Sequence, residues 1–448
     1  APPLPIAAFR ERIVAALGSS GSLILTAPTG SGKSTQTPRF LLGAVPGKIL
    51  VLEPRRLAAR SLAARVASED GSALGGKIGY QVRFDSRPGS ALTFQTYGVF
   101  IQQLLKSPEL PGVGAVVLDE FHERTLECDL ALAWLKALRA KRRPDLKLAV
   151  MSATLDAGAL ASYLPEAARV DVPGRMYPVA VRHMPPDARR GPEDAAFTAL
   201  SELAREGLDG SVLVFMPGMR EIRRTMDVLG PLCRAQGLEL KSLHGSMELS
   251  EQQAVLAPAG AVRRVIVTTN VAETGLTVPG VTAVIDSGLH RVAAYDAARD
   301  LNVLRLGRIS LANAAQRTGR AGRTAPGRCV RLWARTDEPA MAASLPAEIS
   351  RLELSSAALQ AASLPEPVTW LSAPPPGAWD AAARALKDLG AVDADGRITP
   401  RGRALLAYPL PPRLAAVLED AKALGLSDYE RACAMAAYFE SAGERRPD

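Results

Sequence analysis

The stretch Ser22-Leu-Ile-Leu-Thr-Ala-Pro-Thr-Gly-Ser-Gly-Lys-Ser-Thr35 passes from an apolar, strand-like run through a glycine-rich loop into a helix-forming segment. That strand–loop–helix context is what a phosphate-binding loop requires. Gly30 and Gly32 let the backbone turn tightly, so the successive N–H groups of Thr29 to Gly32 can point at phosphate oxygens. The start of the helix adds a favourable field for anions. In this reading Lys33 reaches the β- and γ-phosphates, and the Ser34 hydroxyl, beside Thr35, faces Mg²⁺. Ala27 stands where the general pattern has glycine. The loop implies a bound nucleoside triphosphate and leaves open what its hydrolysis drives.

Outward from the loop, short apolar runs alternate with Ala/Leu/Arg helical patterns. Residues 48–53 (KILVLE), 114–120 (GAVVLDE) and 146–153 (LKLAVMSA) read as buried strands, with helical stretches at 55–68 and 125–141. Alternation of this kind builds βαβ units and a parallel sheet. The rhythm pauses at Val172-Pro173-Gly174 and across Met184–Asp187, then restarts at 211–218, 263–270 and 281–288. The expectation is α/β, with two units of similar size. After about residue 345 the pattern changes to helix over 348–364, a break at Pro374–Pro376, helix over 379–389 and a short hairpin over 390–399. Helix, helix and small β-wing predict a winged-helix module. Residues 413–448 resume an Ala-rich helical pattern without an obvious domain end, and the first residue is not Met, as expected of a piece of a longer protein.

Composition narrows the class. The chain has 448 residues, 47% hydrophobic and 22% charged, which is ordinary globular usage and excludes wholesale disorder. No run approaches the ~20 apolar residues of a membrane span, so a membrane partner is not expected. Cys128, Cys233, Cys329 and Cys433 form no CxxC pair, which argues against a disulfide framework or zinc site and for a reducing cytoplasm. The four histidines are not grouped with other metal-binding residues. The net charge of +8 is uneven. Residues 1–174 carry +6, residues 175–340 carry +5, and residues 341–448 carry −3. The first three-quarters can therefore meet a polyanion, and 44 of the 54 basic residues are arginine, suited to bidentate phosphate contacts.

Two further segments carry chemistry. Asp119-Glu120-Phe121-His122 closes an apolar run, so its carboxylates sit at a strand's C-terminal edge, where ligands gather in open parallel sheets. One carboxylate can serve Mg²⁺ while its neighbour orients and deprotonates water. In Gln316–Arg323 (QRTGRAGR), Arg320 and Arg323 lie three apart and share a helix face, an arrangement suited to a transferring phosphoryl group.

With these segments in hand, the chain resembles superfamily 2 helicases of the DEAH-box group. It also carries Glu53-Pro-Arg-Arg56, Thr96-Tyr-Gly98, Ser152-Ala-Thr154, His244-Gly-Ser246 and Thr268–Thr277 in the family's order, across residues 22–323. Glu348–Leu359 and Leu386–Pro412 look like the group's winged-helix region, and Leu52–Arg60 with the Asp-Glu-Phe-His variant looks most like the bacterial HrpB-type branch. The resemblance implies two tandem RecA-like parallel-sheet domains at 1–173 and 174–344. A winged helix at 345–412 and the start of a helical, ratchet-like module at 413–448 would follow.

Its implied activity is NTP hydrolysis stimulated by nucleic acid. Hydrolysis would drive 3′→5′ movement on single-stranded or partly duplex RNA, with ATP and Mg²⁺ as cofactors and the protein acting as a monomer. Lys33, Ser34 and Thr35 would grip phosphate and metal, Asp119 would serve the metal, and Glu120 would activate water. His122, Ser152 and Thr154 would couple nucleotide state to domain movement. Gln316 would help position water, with Arg320 and Arg323 as arginine fingers. Arg65 would stack on the base and Thr277 would join the nucleotide set. Arg55, Arg56, Arg83, Thr96, Ser246, Thr269 and Asn270 match positions that touch the nucleic-acid backbone, contacts that are largely blind to sequence. Residues 284–304 match a wedge-like β-hairpin.

Departures from the family pattern sharpen the reading. Phe121 replaces the usual Ala, and Gly275 stands where Ser is common. Pro279 and Leu256 stand where relatives often have an acidic residue and an aromatic one, so looser selection among ATP, GTP and other triphosphates is expected. DNA in place of RNA, or a need for an activator protein or a missing C-terminal part, are the alternatives. A decayed, purely scaffolding site is opposed by intact Lys33, Asp119, Glu120, Arg320 and Arg323.

Overall fold

Runs that are apolar on both faces become inner strands, because only a strand covered by helices on two sides can bury both sets of side chains. Lys48–Glu53 is such a run and lies inside an eight-stranded sheet. The computed structural model describes residues 4–442 apart from 154–156, 175–176, 188–189, 258–259, 261, 276–277, 297 and 299–300.

The first sheet contains β1 (Ser22–Thr26), β2 (Lys48–Glu53), β3 (Ile78–Val82), β4 (Asp85–Arg87), β5 (Leu92–Thr96), β6 (Val113–Leu118), β7 (Lys147–Ser152) and β8 (Ala168–Asp171). Their order is β4-β3-β5-β2-β6-β7-β1-β8, parallel throughout except for β4 against β3. Alternate residues feed opposite faces. Ile24, Leu50, Leu52, Val116 and Leu148 join one core, and Leu23, Leu25, Ile49, Val51 and Val117 join the other. Because β7 lies between β6 and β1, the loops after these three strands open side by side at one edge.

The second sheet contains β9 (Val179–His183), β10 (Ser211–Phe215), β11 (Glu239–Leu243), β12 (Arg264–Thr268) and β13 (Val281–Asp286), completed by β16 (Gly327–Arg331). It is fully parallel, in the order β11-β12-β10-β13-β16-β9. Between its last two strands in sequence the chain makes a separate antiparallel hairpin, β14 (Leu289–Asp296) with β15 (Leu301–Arg308). Sequence placed this hairpin at 284–304. It lies later because Val281–Asp286, buried on both faces, is claimed by the sheet.

Residues 355–362, 376–388 and 400–406 are helices around a shared core of Leu354, Leu359, Leu386, Val392 and Leu405. The expected wing shrinks to a single antiparallel bridge between Val392 and Ile398. The helix expected from 348 begins only at Ser355; residues 348–350 form one 3₁₀ turn whose polar groups are spent on distant partners described below. Pro412–Leu424 and Leu426–Ala442 are the helices at the end of the described chain. Trp370 packs edge-on against Trp379 at 5.8 Å and also touches the core of the first sheet, which seats this region on the first α/β unit.

Cys128 is buried in the core, and the RAKRR run ends the helix Leu126–Lys141 with Arg143 bonded to Asp145 and to three carbonyls. Among the described residues no helix is long and apolar enough to cross a membrane.

Candidate nucleotide site and the seam between the sheets

The loop after β1 is shaped by its glycines. Gly30 and Gly32 sit at φ 86° and 93°, a region that disfavours side chains, and a Cβ on Gly32 would come within 2.8 Å of Leu4. The helix Lys33–Leu41 starts directly after Gly32. Lys33 Nζ lies 3.1 Å from Glu120 Oε1, with both side chains buried. Glu120 itself is held at φ 48°, a conformation that non-glycine residues adopt only where surrounding structure imposes it. Its other oxygen is 3.5 Å from His122 Nδ1, which in turn lies 3.3 Å from Ser152 Oγ. The set Lys33, Glu120, His122 and Ser152 is therefore one contiguous cluster. Thr154 and Thr277 lie outside the described residues.

The charges are strongly coupled. Burial alone would raise the Glu120 pKa, but Lys33, His122 and Arg320 outweigh it and hold the carboxyl down to about 2. Burial works against the Lys33 ammonium, yet Glu120 and Asp119 keep its pKa above the ordinary value. Asp119 is pushed up by burial against the pull of Lys33 and of the Ser34 hydroxyl. Its Oδ1 accepts the Glu120 N–H at 2.8 Å, and Tyr97 O–H donates to its carbonyl at 2.9 Å.

A third carboxylate, quoted from the sequence but given no role there, is Glu53 at the end of β2. It is fully buried beside Asp119, and desolvation with its two acidic neighbours raises its pKa well above normal. A hydrogen bond between Glu53 and Asp119 needs a proton on one of them; neither Glu53 oxygen meets a donor in the structure. Asp119 Oδ2 and Ser31 Oγ are likewise buried without a hydrogen bond, and Glu120 Oε2 has only the longer approach of His122. Acceptor oxygens clustered around one lysine at a glycine loop match what a divalent cation and phosphates require.

The second sheet supplies the opposite wall. Arg320 is buried, Arg323 is half-buried, and both face Glu120 electrostatically. Burial presses both arginines below their usual range, Arg323 to about 10. A Cβ placed on Gly30 would lie 4.0 Å from Arg323 Cγ, so this arginine reaches the phosphate loop from the other unit. Arg320 also donates to the Glu273 carbonyl. Gln316 is buried on the helix Leu311–Thr318, whereas Arg320 and Arg323 lie in the turns past its end and not on one helix face as expected, because the helix stops at Thr318 before Gly319. Beneath them Arg317 bridges Glu273 and Asp286, each at 2.8 Å, and Asn313 donates to Glu273.

The residues expected to touch nucleic acid divide. Arg55 crosses the seam, with Nη1 donating to the carbonyls of Asn270 at 2.5 Å and Val271 at 3.2 Å. Its Nη2 lies 3.2 Å from Glu123, which also accepts from Thr274. Thr96 ends β5 in register with Glu53, beside Arg55 and the exposed Arg56. Ser246 follows β11, while Thr269 and Asn270 follow the adjacent β12. Arg83 stands apart at the β3–β4 turn, stacked at 4.8 Å on Phe84. The Phe84 ring is 86% exposed at φ 68°; an aromatic in a two-residue turn with polar neighbours was the unread signal. Arg65 is exposed and paired with Glu69, on a helix that packs against the one ending at Leu256. Gly275, at φ 68°, would place a Cβ 3.2 Å from Ala58, which explains glycine where relatives have serine.

Comparison with known proteins follows this division. Residues 8–161 match the DEAD/DEAH box helicase family, 195–325 the helicase conserved C-terminal domain, and 382–410 the winged-helix helicase-associated domain HA2. Over 428 residues the chain is 40% identical to the ATP-dependent RNA helicase HrpB of Escherichia coli, covering 94% of this chain and 52% of HrpB. It is 37% identical to the probable ATP-dependent RNA helicase DHX34 of Mus musculus, covering 91% of this chain and 37% of that protein. The chain thus spans about half the length of the first of these relatives and less of the second. Crystal structures of the E. coli DEAH/RHA helicase HrpB and of the E. coli DExH-box NTPase HrpB superpose with TM-scores of 0.90 and 0.85. Identity is 37% and 38%, over 99% and 98% of this chain and 59% and 55% of those chains. With its motifs, sheet order and winged-helix region all in agreement, the chain carries the DEAD/DEAH box helicase, helicase C-terminal and HA2 winged-helix domains in that order and is similar to helicases of the HrpB branch.

Proposed function

We propose that this chain hydrolyses ATP under stimulation by single-stranded RNA and uses the cycle to move 3′→5′, separating duplexes or remodelling RNA–protein complexes. One observation carries the reading: Arg320 and Arg323 of the second sheet face Glu120 and the Gly30 loop of the first, so a triphosphate in the cleft would bridge two bodies. Both walls come from one chain, which fits a motor working as a monomer. The four-part division at 173/174, 344/345 and 412/413 belongs to the same reading, as does a cytoplasmic location, supported by four unpaired cysteines.

In this mechanism Ser34 and Asp119 would hold Mg²⁺, which would offset phosphate charge. The N–H groups of Thr29 to Gly32 cradle the phosphates. Lys33, drawn to the more negative triphosphate, leaves Glu120. Freed of its ammonium, Glu120 gains proton affinity and becomes a competent base. It takes the proton of a water held with Gln316 as that water attacks the γ-phosphorus and the bond to the departing diphosphate breaks. Arg320 and Arg323 stabilise the charge of the transferring group. Loss of the γ-phosphate removes what both sides hold, and the seam opens. Ser152, Thr154 and His122 pass that change on, while Arg55, Arg56, Arg83, Thr96, Ser246, Thr269 and Asn270 exchange grips on the strand.

The test is phosphate release with RNA and DNA of equal length across a salt series. RNA stimulation that falls steeply with salt supports the reading. Stimulation by DNA alone replaces RNA with DNA as the track, and no stimulation by either refutes the motor.

A further inference from the structure

The segment 348–353 bonds at one end to the turn after Glu120 and at the other to the β14–β15 hairpin. At one end the Glu348 N–H donates to the Arg124 carbonyl at 3.0 Å, and the Leu126 N–H donates to Glu348 Oε2 at 3.0 Å. Leu126 opens a helix, so its N–H has no partner within that helix and the carboxylate supplies one. At the other end Arg351 donates to the carbonyl of Ala293, and its own carbonyl accepts the Tyr295 N–H at 2.7 Å. Glu353 N–H adds a bond to Asn302 Oδ1 at 2.8 Å. Ala293, Tyr295 and Asn302 all belong to the β14–β15 hairpin. The two ends are tied by Arg351 Nη2 on Glu348 Oε1 at 3.1 Å.

What the first end holds is the turn that carries Glu120. Residues 121–123 form one 3₁₀ turn bracketed by Glu120 at φ 48° and Arg124 at φ 47°. Two non-glycine residues in the left-handed region persist only where their surroundings hold them. Arg124 is held by a two-pronged pair with Asp129 and by the bond to Glu348. A short segment gripping this turn at two points and the hairpin at three cannot follow a displacement of one without loading the other.

We propose that residues 348–353 are a strut that couples the position of the β14–β15 hairpin to the turn bearing Glu120, with Glu348 and Arg351 as its positioning residues. The hairpin presents Leu301, Leu304 and Leu306 to solvent, each about half exposed, as the surface a nucleic-acid strand would push. Contact there reaches the hydrolytic turn through the strut, independently of the grips at the seam. This rests on the motor reading above.

The experiment measures ATP hydrolysis by the full chain with and without a single-stranded RNA oligonucleotide, for the unaltered protein and for Arg351→Ala, Glu348→Ala and the double variant. Arg351→Ala keeps RNA-free turnover and the KM for ATP, while the ratio of stimulated to unstimulated rate falls about fivefold, within the range of residues that carry coupling. Glu348→Ala lowers the ratio similarly, and the double variant lowers it no further, because both act through one element. If Arg351→Ala does not fold, Arg351→Lys carries the test, since one nitrogen cannot serve both Glu348 and Ala293. An unchanged ratio overturns the strut, as does an equal fall in both rates, which marks a merely structural role. Absence of stimulation in the unaltered protein refutes the motor reading and the strut with it.

Discussion

Lys33 Nζ and Glu120 Oε1 meet at 3.1 Å with both side chains buried, so the lysine of the phosphate loop neutralises the carboxylate assigned to water. That pairing makes the two residues separable by experiment, because each has one role with nucleotide and another without it.

Glu120→Gln lowers ATP turnover by about 10²–10⁴-fold, the usual worth of a general base, while nucleotide binding changes little. Lys33→Ala also abolishes turnover, but it weakens nucleotide binding and, without nucleotide, costs about 3–5 kcal/mol by leaving Glu120 buried without its charged partner. Phosphate release, a fluorescent-nucleotide titration and denaturant unfolding distinguish them.

Arg323→Ala is the cleaner of the two arginine substitutions, because Arg320 also donates to the Glu273 carbonyl and its loss disturbs the second sheet. Turnover in Arg323→Ala falls by about 10³-fold or more, with thermal stability close to that of the unaltered chain. A fall in stability as large as that of Arg320→Ala would assign Arg323 a packing role.

Arg317 is buried between Glu273 and Asp286, so Arg317→Ala strands two carboxylates and costs about 3–5 kcal/mol. Burial would raise the Glu273 pKa, but Arg317 and Asn313 hold it below its ordinary 4.5. That contribution is complete above 4.5 and is lost as pH falls through the lowered value. Asp286 runs the other way, since burial outweighs its arginine and raises its pKa. In the variant both carboxylates favour protonation, so the stability gap to the unaltered chain narrows from neutral pH to about pH 4. Urea unfolding at several pH values measures it.

Nucleotide selection is expected to be loose. Pro279 is exposed and offers no carboxylate to a ribose, and Leu256 is no stacking partner for a base opposite Arg65, which is itself occupied by Glu69. Rates with GTP, CTP and UTP therefore stay within about tenfold of the ATP rate at matched concentration, since recognition falls to the base-blind phosphate loop. A hundredfold preference for ATP would show a base or ribose contact made by other residues.

The sequence was most legible where function demands a local arrangement. A glycine loop must adjoin its helix, and an acidic pair must end a buried strand, so Ala27–Ser34 and Asp119–His122 announced themselves by spacing. Residues 348–354 were read as helix because their composition allows it, whereas their polar groups serve Arg124, Leu126 and the hairpin. Glu53 passed as a strand's last residue, and only its neighbours Asp119 and Glu120 make it a third buried carboxylate.

By itself the sequence determined two parallel sheets, the nucleotide loop, and the acidic and arginine segments, because strand burial and phosphate chemistry leave short-range periodic marks. Which charges meet was decided by tertiary structure alone. Arg55 lies 215 residues from Asn270, and Glu348 lies 222 from Leu126, yet each pair is within hydrogen-bonding distance. Ionic and hydrogen-bonding groups act over a few ångströms, so their partners are set by how the two sheets and the winged-helix region pack. Spacing along the chain carries no trace of that.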